Sequence, residues 1–272
     1  MTWTTLPRSE LTSSLSGWQG GSGPSALLIH GVGLRAEAWG AMIPQLSKHF
    51  HVTAPDLPGH GESSPLKAAQ DKGLHPFTDC MAELLEHLPG PTLVIGHSLG
   101  ALISLDLTIR HPDHVAAVVP LNAIYRRTQK AADAVQVRAA ELVKSPNADP
   151  SPTVERWFGK DPQGDLVPMA EHCRSWLTAG NPQGYARAYH VFAHADGPSD
   201  EALAELQRPS LFITGADEPN STPEMSRAMA RLAPQGRAVV IENARHMMPM
   251  THAKNVADHI IAFHQQLGSG HV

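Results

Sequence analysis

The sequence predicts an α/β fold: a mostly parallel, twisted sheet with helices on both faces, interrupted by a helical insertion. Three observations carry this. Short β-branched and aliphatic runs recur along the chain, segments of helical spacing separate most of them, and the alternation lapses between residues 123 and 206.

The strand candidates are ALLIH (26–30), HVTAP (51–55), TLVIG (92–96), VAAVVPL (115–121), SLFIT (210–214) and AVVIE (238–242), all reading as buried strands. Apolar positions spaced for one face of a helix occupy 36–49, 76–88, 99–110, 222–233 and 250–267. From 123 to 206 only helical patterns occur (130–144, 153–158, 168–178, 183–194), separated by the breakers SPNADPSP, GKDPQGD and GNPQG. The expected division is therefore a discontinuous core, 1–122 and 207–272, with a helical cap at 123–206.

At 272 residues, 42% hydrophobic and 17% charged, the chain has the composition of a soluble globular protein, which excludes disordered and fibrous classes. The net charge is −5, and Arg126-Arg127 is the only adjacent basic pair, so nothing resembles a stripe that tracks phosphates. A nucleic-acid partner is not expected. Cys80 and Cys173 make no disulfide framework or zinc spacing, the N-terminal segment lacks an apolar signal core, and no apolar run reaches membrane length. The expectation is a cytoplasmic protein without a membrane partner.

Chemistry enters at Gly96-His97-Ser98-Leu99-Gly100, where a predicted strand meets a predicted helix. A G-x-S-x-G turn in that context lifts the serine hydroxyl above the sheet edge, the flanking glycines leaving room for a strained reversal. A serine nucleophile needs a base and a group that orients the base. His246 follows the last predicted strand and is the leading base among seventeen histidines. Asp217 and Glu218, just past SLFIT, are the candidate acids, giving the chain order Ser, acid, His. A rival set, Asp56 and His60 with Ser98, is weakened by its four-residue spacing in a turn-rich loop. For an oxyanion, the Leu99 N–H at the helix start and the Val32 N–H in His30-Gly31-Val32-Gly33 are the candidate donors.

Together, LLIHGVGLRAEAW, VTAPDLPGHGESS, VIGHSLGA, ITGADEPNSTP and the ARHMMP loop resemble the α/β-hydrolase superfamily, over nearly all of the core. Within it the chain is similar to capped small-molecule hydrolases such as 3-oxoadipate enol-lactonases and meta-cleavage-product hydrolases. The resemblance implies an α/β-hydrolase fold with a cap and hydrolysis of a small ester, lactone or related carbonyl through an acyl-enzyme, with no cofactor. C-C bond hydrolysis of a vinylogous diketone and non-catalytic ligand sensing on the same fold are the alternatives. Such relatives place Asp fourth in a G-x-x-D turn; here that position is Glu218, with Asp217 one residue earlier, and the Gly usual before the histidine is Arg245. The turn count favours Glu218, and Asp217 has the usual length in the wrong register.

For substrate binding, Arg126 or Arg127 is placed to grip a carboxylate, and Met247 and Trp157 lead a set of apolar candidates (Met248, Met250, Phe158, Trp176, Tyr185, Tyr189, Phe192) from which two or three are expected at the site. His190 and His194, four apart on a helix, lack a third ligand, so no metal site is expected.

Overall fold

The computed structural model describes residues 5–67, 73–145 and 149–269; residues 146–148, within the expected SPNADPSP break, lie outside the described residues. Eight strands form one sheet: β1 (Ser9–Glu10), β2 (Ser16–Gly21), β3 (Ser25–Ile29), β4 (His51–Pro55), β5 (Thr92–His97), β6 (Val115–Leu121), β7 (Ser210–Gly215) and β8 (Gly236–Ile241). Their order across the sheet is β1-β2-β4-β3-β5-β6-β7-β8. β2 is antiparallel to both β1 and β4, and the pairs from β4 to β8 are all parallel.

The strand side chains alternate between two layers, as a period of two requires. Ala26, Leu28, Leu93, Ile95, Ala117, Val119, Leu211 and Ile213 pack on one face with α1 (Ile43–Leu46) and the C-terminal α10 (Met248–Thr251) and α11 (Ala253–Ser269). On the other face Leu27, Ile29 and Val94 meet α2 (His75–Glu86) and α3 (Leu99–Arg110), while Val118 and Phe212 meet α3 and α9 (Pro223–Leu232). Between β6 and β7 come α4 (Gln129–Lys144), α5 (Ser151–Phe158), α6 (Leu166–Ala179), α7 (Pro182–His194) and α8 (Asp200–Ala204).

Four details differ from the sequence expectation. The segment 36–49 is not one helix: a 3-10 turn at Ala36–Trp39 gives way at Gly40, and Pro44 opens the short α1. Likewise 250–267 is two helices, with a break at His252, whose φ is −127°. The Gly-rich β2 escaped notice because its pairing rests on backbone rather than on an apolar run; a Cβ at Gly17 would strike the β4 backbone. Finally, β8 is an edge strand in which only Ile241 is buried, although AVVIE reads as a buried run.

The site is positioned by the strand order. From β3 the chain moves outward to β4, then returns to place β5 on the opposite side of β3. The loops leaving β3 and β5 therefore diverge, opening a crevice at the carboxyl ends of the strands. Helix α3 can close on β3 there only because Gly100 has no side chain: a Cβ would run into the Ile29 carbonyl oxygen. Gly100→Ala is expected to cost at least about 2 kcal/mol by overpacking. Gly90→Ala, in open space but at φ +69°, should lose only about 1 kcal/mol. Urea unfolding midpoints of the two variants check the contrast.

Candidate active site

Ser98 sits between the end of β5 and the start of α3 with φ 58° and ψ −117°, a left-handed conformation that a side chain adopts only when its surroundings enforce it. Enforcement comes from both flanks. A Cβ on Gly96 would collide with the Gly100 carbonyl, and one on Gly31 would lie 3.0 Å from the Ser98 Cβ. The first amide of α3, that of Leu99, has no carbonyl one turn earlier to bond, while the Leu99 side chain lies in the core with Ile29 and Val32.

The two acidic candidates separate cleanly. His246 Nδ1–H donates to Glu218 Oε2 at 2.8 Å, and the Glu218 side chain is fully buried. Asp217, one residue earlier, is exposed. Glu218 Oε1 accepts from the Asn220 amide at 2.8 Å, which anchors the turn around the longer side chain. Burial pushes the Glu218 carboxyl up, but His246 and the Asn220 and Ser221 amides outweigh it and hold the group below the usual carboxylate range. Trp157 stacks on the His246 ring, with centroids 5.7 Å apart and planes 20° from parallel.

The rival pair Asp56 and His60 instead braces the loop after β3. Asp56 Oδ1 accepts from the Ala36 amide at 2.8 Å and Oδ2 from the Glu62 amide at 2.9 Å. His60 Nε2 accepts from the Gly33 amide at 3.0 Å, next to Val32. His30 completes the brace, its Nδ1–H donating to the Gly31 carbonyl and its Nε2 accepting from the Leu57 amide. Each ring accepts at Nε2, so each must be neutral. Burial agrees, pushing His60 down to about 4 and His30 well below its ordinary value. His97, also buried, is pushed down to about 3, first by burial and then by the neighbouring His246.

A cavity of about 440 Å³ gathers these loops: Gly31 and Val32 after β3, Ser98 after β5, Asn122 after β6, Pro219 to Thr222 after β7 and His246 after β8. Its far wall comes from the segment between β6 and β7: Arg127 in the loop before α4, and Arg138, Arg156, Trp157, Tyr185, Tyr189 and Phe192 on the helices. Four of the apolar candidates thus line it, but Met247 does not: it is buried in a separate cluster with Leu34, Ala38 and Met250. Arg126 is corrected as well, since its guanidinium pairs with Asp200 and lies outside the lining. Arg127 does line the cavity, although its guanidinium donates to the Ala195 and Phe192 carbonyls and stacks on the Phe192 ring at 4.5 Å. Burial lowers it to about 10, so it stays cationic at neutral pH. Arg245 is exposed and lines nothing here.

Sequence reasoning missed Arg138, Arg156 and Asn122. The arginines are single charges inside helical patterns, where a solvated face is the ordinary reading. Asn122 follows β6 at φ 53°, and an apolar run followed by Asn carries no distinctive signal. Among the described residues no group of three His, Cys, Asp or Glu could hold a metal ion, and no helix is long and apolar enough to cross a membrane.

A sequence profile described as the alpha/beta hydrolase family matches residues 26–259. The chain belongs to that family. This hydrolase is 41% identical over 238 residues to an (E)-2-((N-methylformamido)methylene)succinate hydrolase of Acinetobacter baylyi, covering 87% of this chain and 88% of the relative. It is 26% identical to a pimeloyl-[acyl-carrier protein] methyl ester esterase of Vibrio cholerae, over 90% of this chain and 96% of that one. Among solved structures, a malate-bound thermophilic esterase from Thermogutta terrifontis superposes with a TM-score of 0.80 at 25% identity, covering 93% of both chains. The enol-lactonase from Burkholderia xenovorans LB400 shares the fold, with a TM-score of 0.83 at 23% identity over 95% of this chain and 100% of its own.

Three buried neutral histidines give the alpha/beta hydrolase a definite acid response. His30, His60 and His97 are held below the ordinary histidine range when folded, so below about pH 6.5 the unfolded chain binds more protons than the folded one. Their contribution to stability is present above that pH and lost as pH falls toward about 4. The urea midpoint should therefore decline from pH 7 to pH 5, and His60→Gln should flatten the decline.

Proposed function

We propose that this hydrolase cleaves a small, carboxylate-bearing acyl compound through an acyl-enzyme on Ser98. The observation that carries the reading is the composition of the cavity: Ser98 and His246 share it with three guanidiniums, those of Arg127, Arg138 and Arg156, and no carboxylate side chain among the described residues lines it. All three arginines act electrostatically on the buried Tyr189 phenol, which lines the same cavity, so their positive charge reaches its wall. A substrate carrying one or two carboxylates meets charge-assisted donors there. The name of the Acinetobacter relative, a substituted succinate, and the malate-bound esterase support a dicarboxylate.

In this reading His246 takes the Ser98 proton at Nε2 as Oγ attacks the carbonyl carbon, and Glu218 stabilises the imidazolium at Nδ1. The Val32 and Leu99 amides receive the oxyanion. His246 then returns the proton to the leaving group, and water repeats the sequence on the acyl-enzyme. The helices from 123 to 206 act as a cap over a core of 1–122 and 207–272, supplying the arginines and Trp157 while the core supplies the chemistry. With Cys80 and Cys173 both free, the reading places the enzyme in the cytoplasm.

Ser98→Ala should lower kcat by about 10³ to 10⁶ with the fold intact. Glu218→Gln should lower it by about 10³ to 10⁴ while Asp217→Asn costs little, because an amide cannot stabilise the imidazolium. Steady-state hydrolysis of mono-4-nitrophenyl succinate checks both, and near-normal turnover by Ser98→Ala would refute the mechanism. Arg138→Ala and Arg156→Ala should each raise KM for that monoester about 10-fold while leaving uncharged 4-nitrophenyl acetate unaffected. Equal effects on the two esters would remove the arginines from carboxylate binding.

A further inference from the structure

The carbonyl oxygen of His246 accepts two hydrogen bonds, from His97 Nε2–H and from Asn122 Nδ2–H, each at 2.8 Å. Both donors are buried, and they come from different strand ends, His97 as the last residue of β5 and Asn122 just after β6. The other amide atom of Asn122 faces β7: Oδ1 accepts from the Gly215 N–H at 3.3 Å and lies 3.2 Å from the Thr214 hydroxyl. That hydroxyl in turn donates to the Ser221 carbonyl at 2.6 Å, at the far end of the turn that carries Glu218. The two partners fix the orientation of the amide, since Gly215 requires an acceptor and the His246 carbonyl requires a donor. One buried side chain thus joins the loop that bears His246 to the turn that bears Glu218.

We infer that Asn122, assisted by His97, is a positioning residue that holds the His246 backbone and the Glu218 turn in one frame, so that the imidazole keeps its carboxylate partner while facing Ser98. The inference rests on the triad reading above. A loop bearing a catalytic base has few regular backbone bonds of its own, and a shift of about 1 Å in a reacting group can cost about 100-fold in rate. His97 serves the same carbonyl as an uncharged donor; a charged ring with its centroid 4.8 Å from that of His246 would oppose formation of the imidazolium.

Three variants test this with mono-4-nitrophenyl succinate and with the rate at which an uncharged phosphonate labels Ser98. Asn122→Ala removes both contacts. Asn122→Asp keeps the shape and the acceptor but turns an oxygen toward the His246 carbonyl. Thr214→Val weakens the frame from its other end and touches neither Ser98 nor His246. Both Asn122 variants should lose about 10- to 100-fold in kcat and in labelling rate with KM within about 2-fold, and Thr214→Val should lose about 3-fold in the same pattern. Should Asn122→Ala fail to fold, the aspartate and valine variants carry the decision. Retention of more than half of kcat by Asn122→Asp overturns the inference, as does a rise in KM at unchanged kcat, which would make Asn122 a substrate contact. Ser98→Ala, assayed alongside, separates this from failure of the triad reading itself: an active Ser98→Ala refutes the triad, whereas an inactive Ser98→Ala with normal Asn122 variants refutes only the frame.

Discussion

The chain must reverse from β5 into α3 at a single residue, and the rest of the architecture depends on that reversal. It holds Ser98 at positive φ, a strain of about 1 to 3 kcal/mol. It also demands that the helix start, the end of β3 and the end of β5 lie in van der Waals contact, which Gly31, Gly96 and Gly100 permit by having no side chains. Once α3 is seated it is almost wholly buried, and its apolar residues join two core clusters on the same face of the sheet. The stabilisation from that burial offsets the strain at the turn.

Around the reversal the loops are not held by sheet bonds. They are held by buried side chains bonded to backbone: Asp56 to the Ala36 and Glu62 amides, His60 to the Gly33 amide, His30 to the Leu57 amide, Glu218 to the Asn220 amide and Asn122 to the Gly215 amide. A buried polar group costs free energy unless it is bonded, and inside a protein a satisfied bond is stronger than in water. Such a network tolerates little displacement, which suits a site where separate loops must present groups to one point. It also explains why seventeen histidines do not mean many bases: His30, His60 and His97, which surround His246 and its neighbouring loops, are buried neutral rings bonded to backbone.

What was legible in the sequence follows from the same physics. The parallel strands from β3 to β7, and helices α2, α3 and α9, announce themselves because burial on both faces or on one stripe writes a hydrophobic period into the chain. The position of Ser98 was legible because the reversal demands glycines at fixed offsets, and those of His246 and the adjacent acids Asp217 and Glu218 because they follow strands at the same sheet edge; between the two acids the sequence offered only the turn count. Glycine-rich β2, whose order comes from pairing to β4, and the breaks at Gly40 and His252 left no such period. Met247 misled because an apolar residue next to a predicted base suggests a pocket wall, whereas its side chain turns into the cluster under Trp157. Asn122 was hidden because its partners are far away in sequence, and the arginines of α4 and α5 because one charged residue in a helix is the commonest thing a surface contains.

The net charge of −5 read alone would argue against an anionic ligand, because the field of the whole protein repels one. Local arrangement reverses that conclusion. At physiological ionic strength exposed charges more than about 8 to 10 Å apart are largely screened, so the acidic surface acts only weakly inside the crevice. Within the cavity, low-dielectric walls of Trp157, Tyr185, Tyr189 and Phe192 stand beside the guanidiniums and screen them less. Arg127 shows what that environment costs: its charge is held in place by two backbone carbonyls and an aromatic face, whereas among the described residues Arg138 pairs with Glu141 on its own helix, 3.5 Å away. A guanidinium already saturated by protein acceptors sets the local potential, and the less encumbered ones are left to make direct contacts. The cavity therefore divides by chemistry, with Ser98 and His246 at the strand ends and guanidiniums on the segments opposite, and under the proposed function the spacing between the two would select which carboxylated acyl compound places its carbonyl at Ser98.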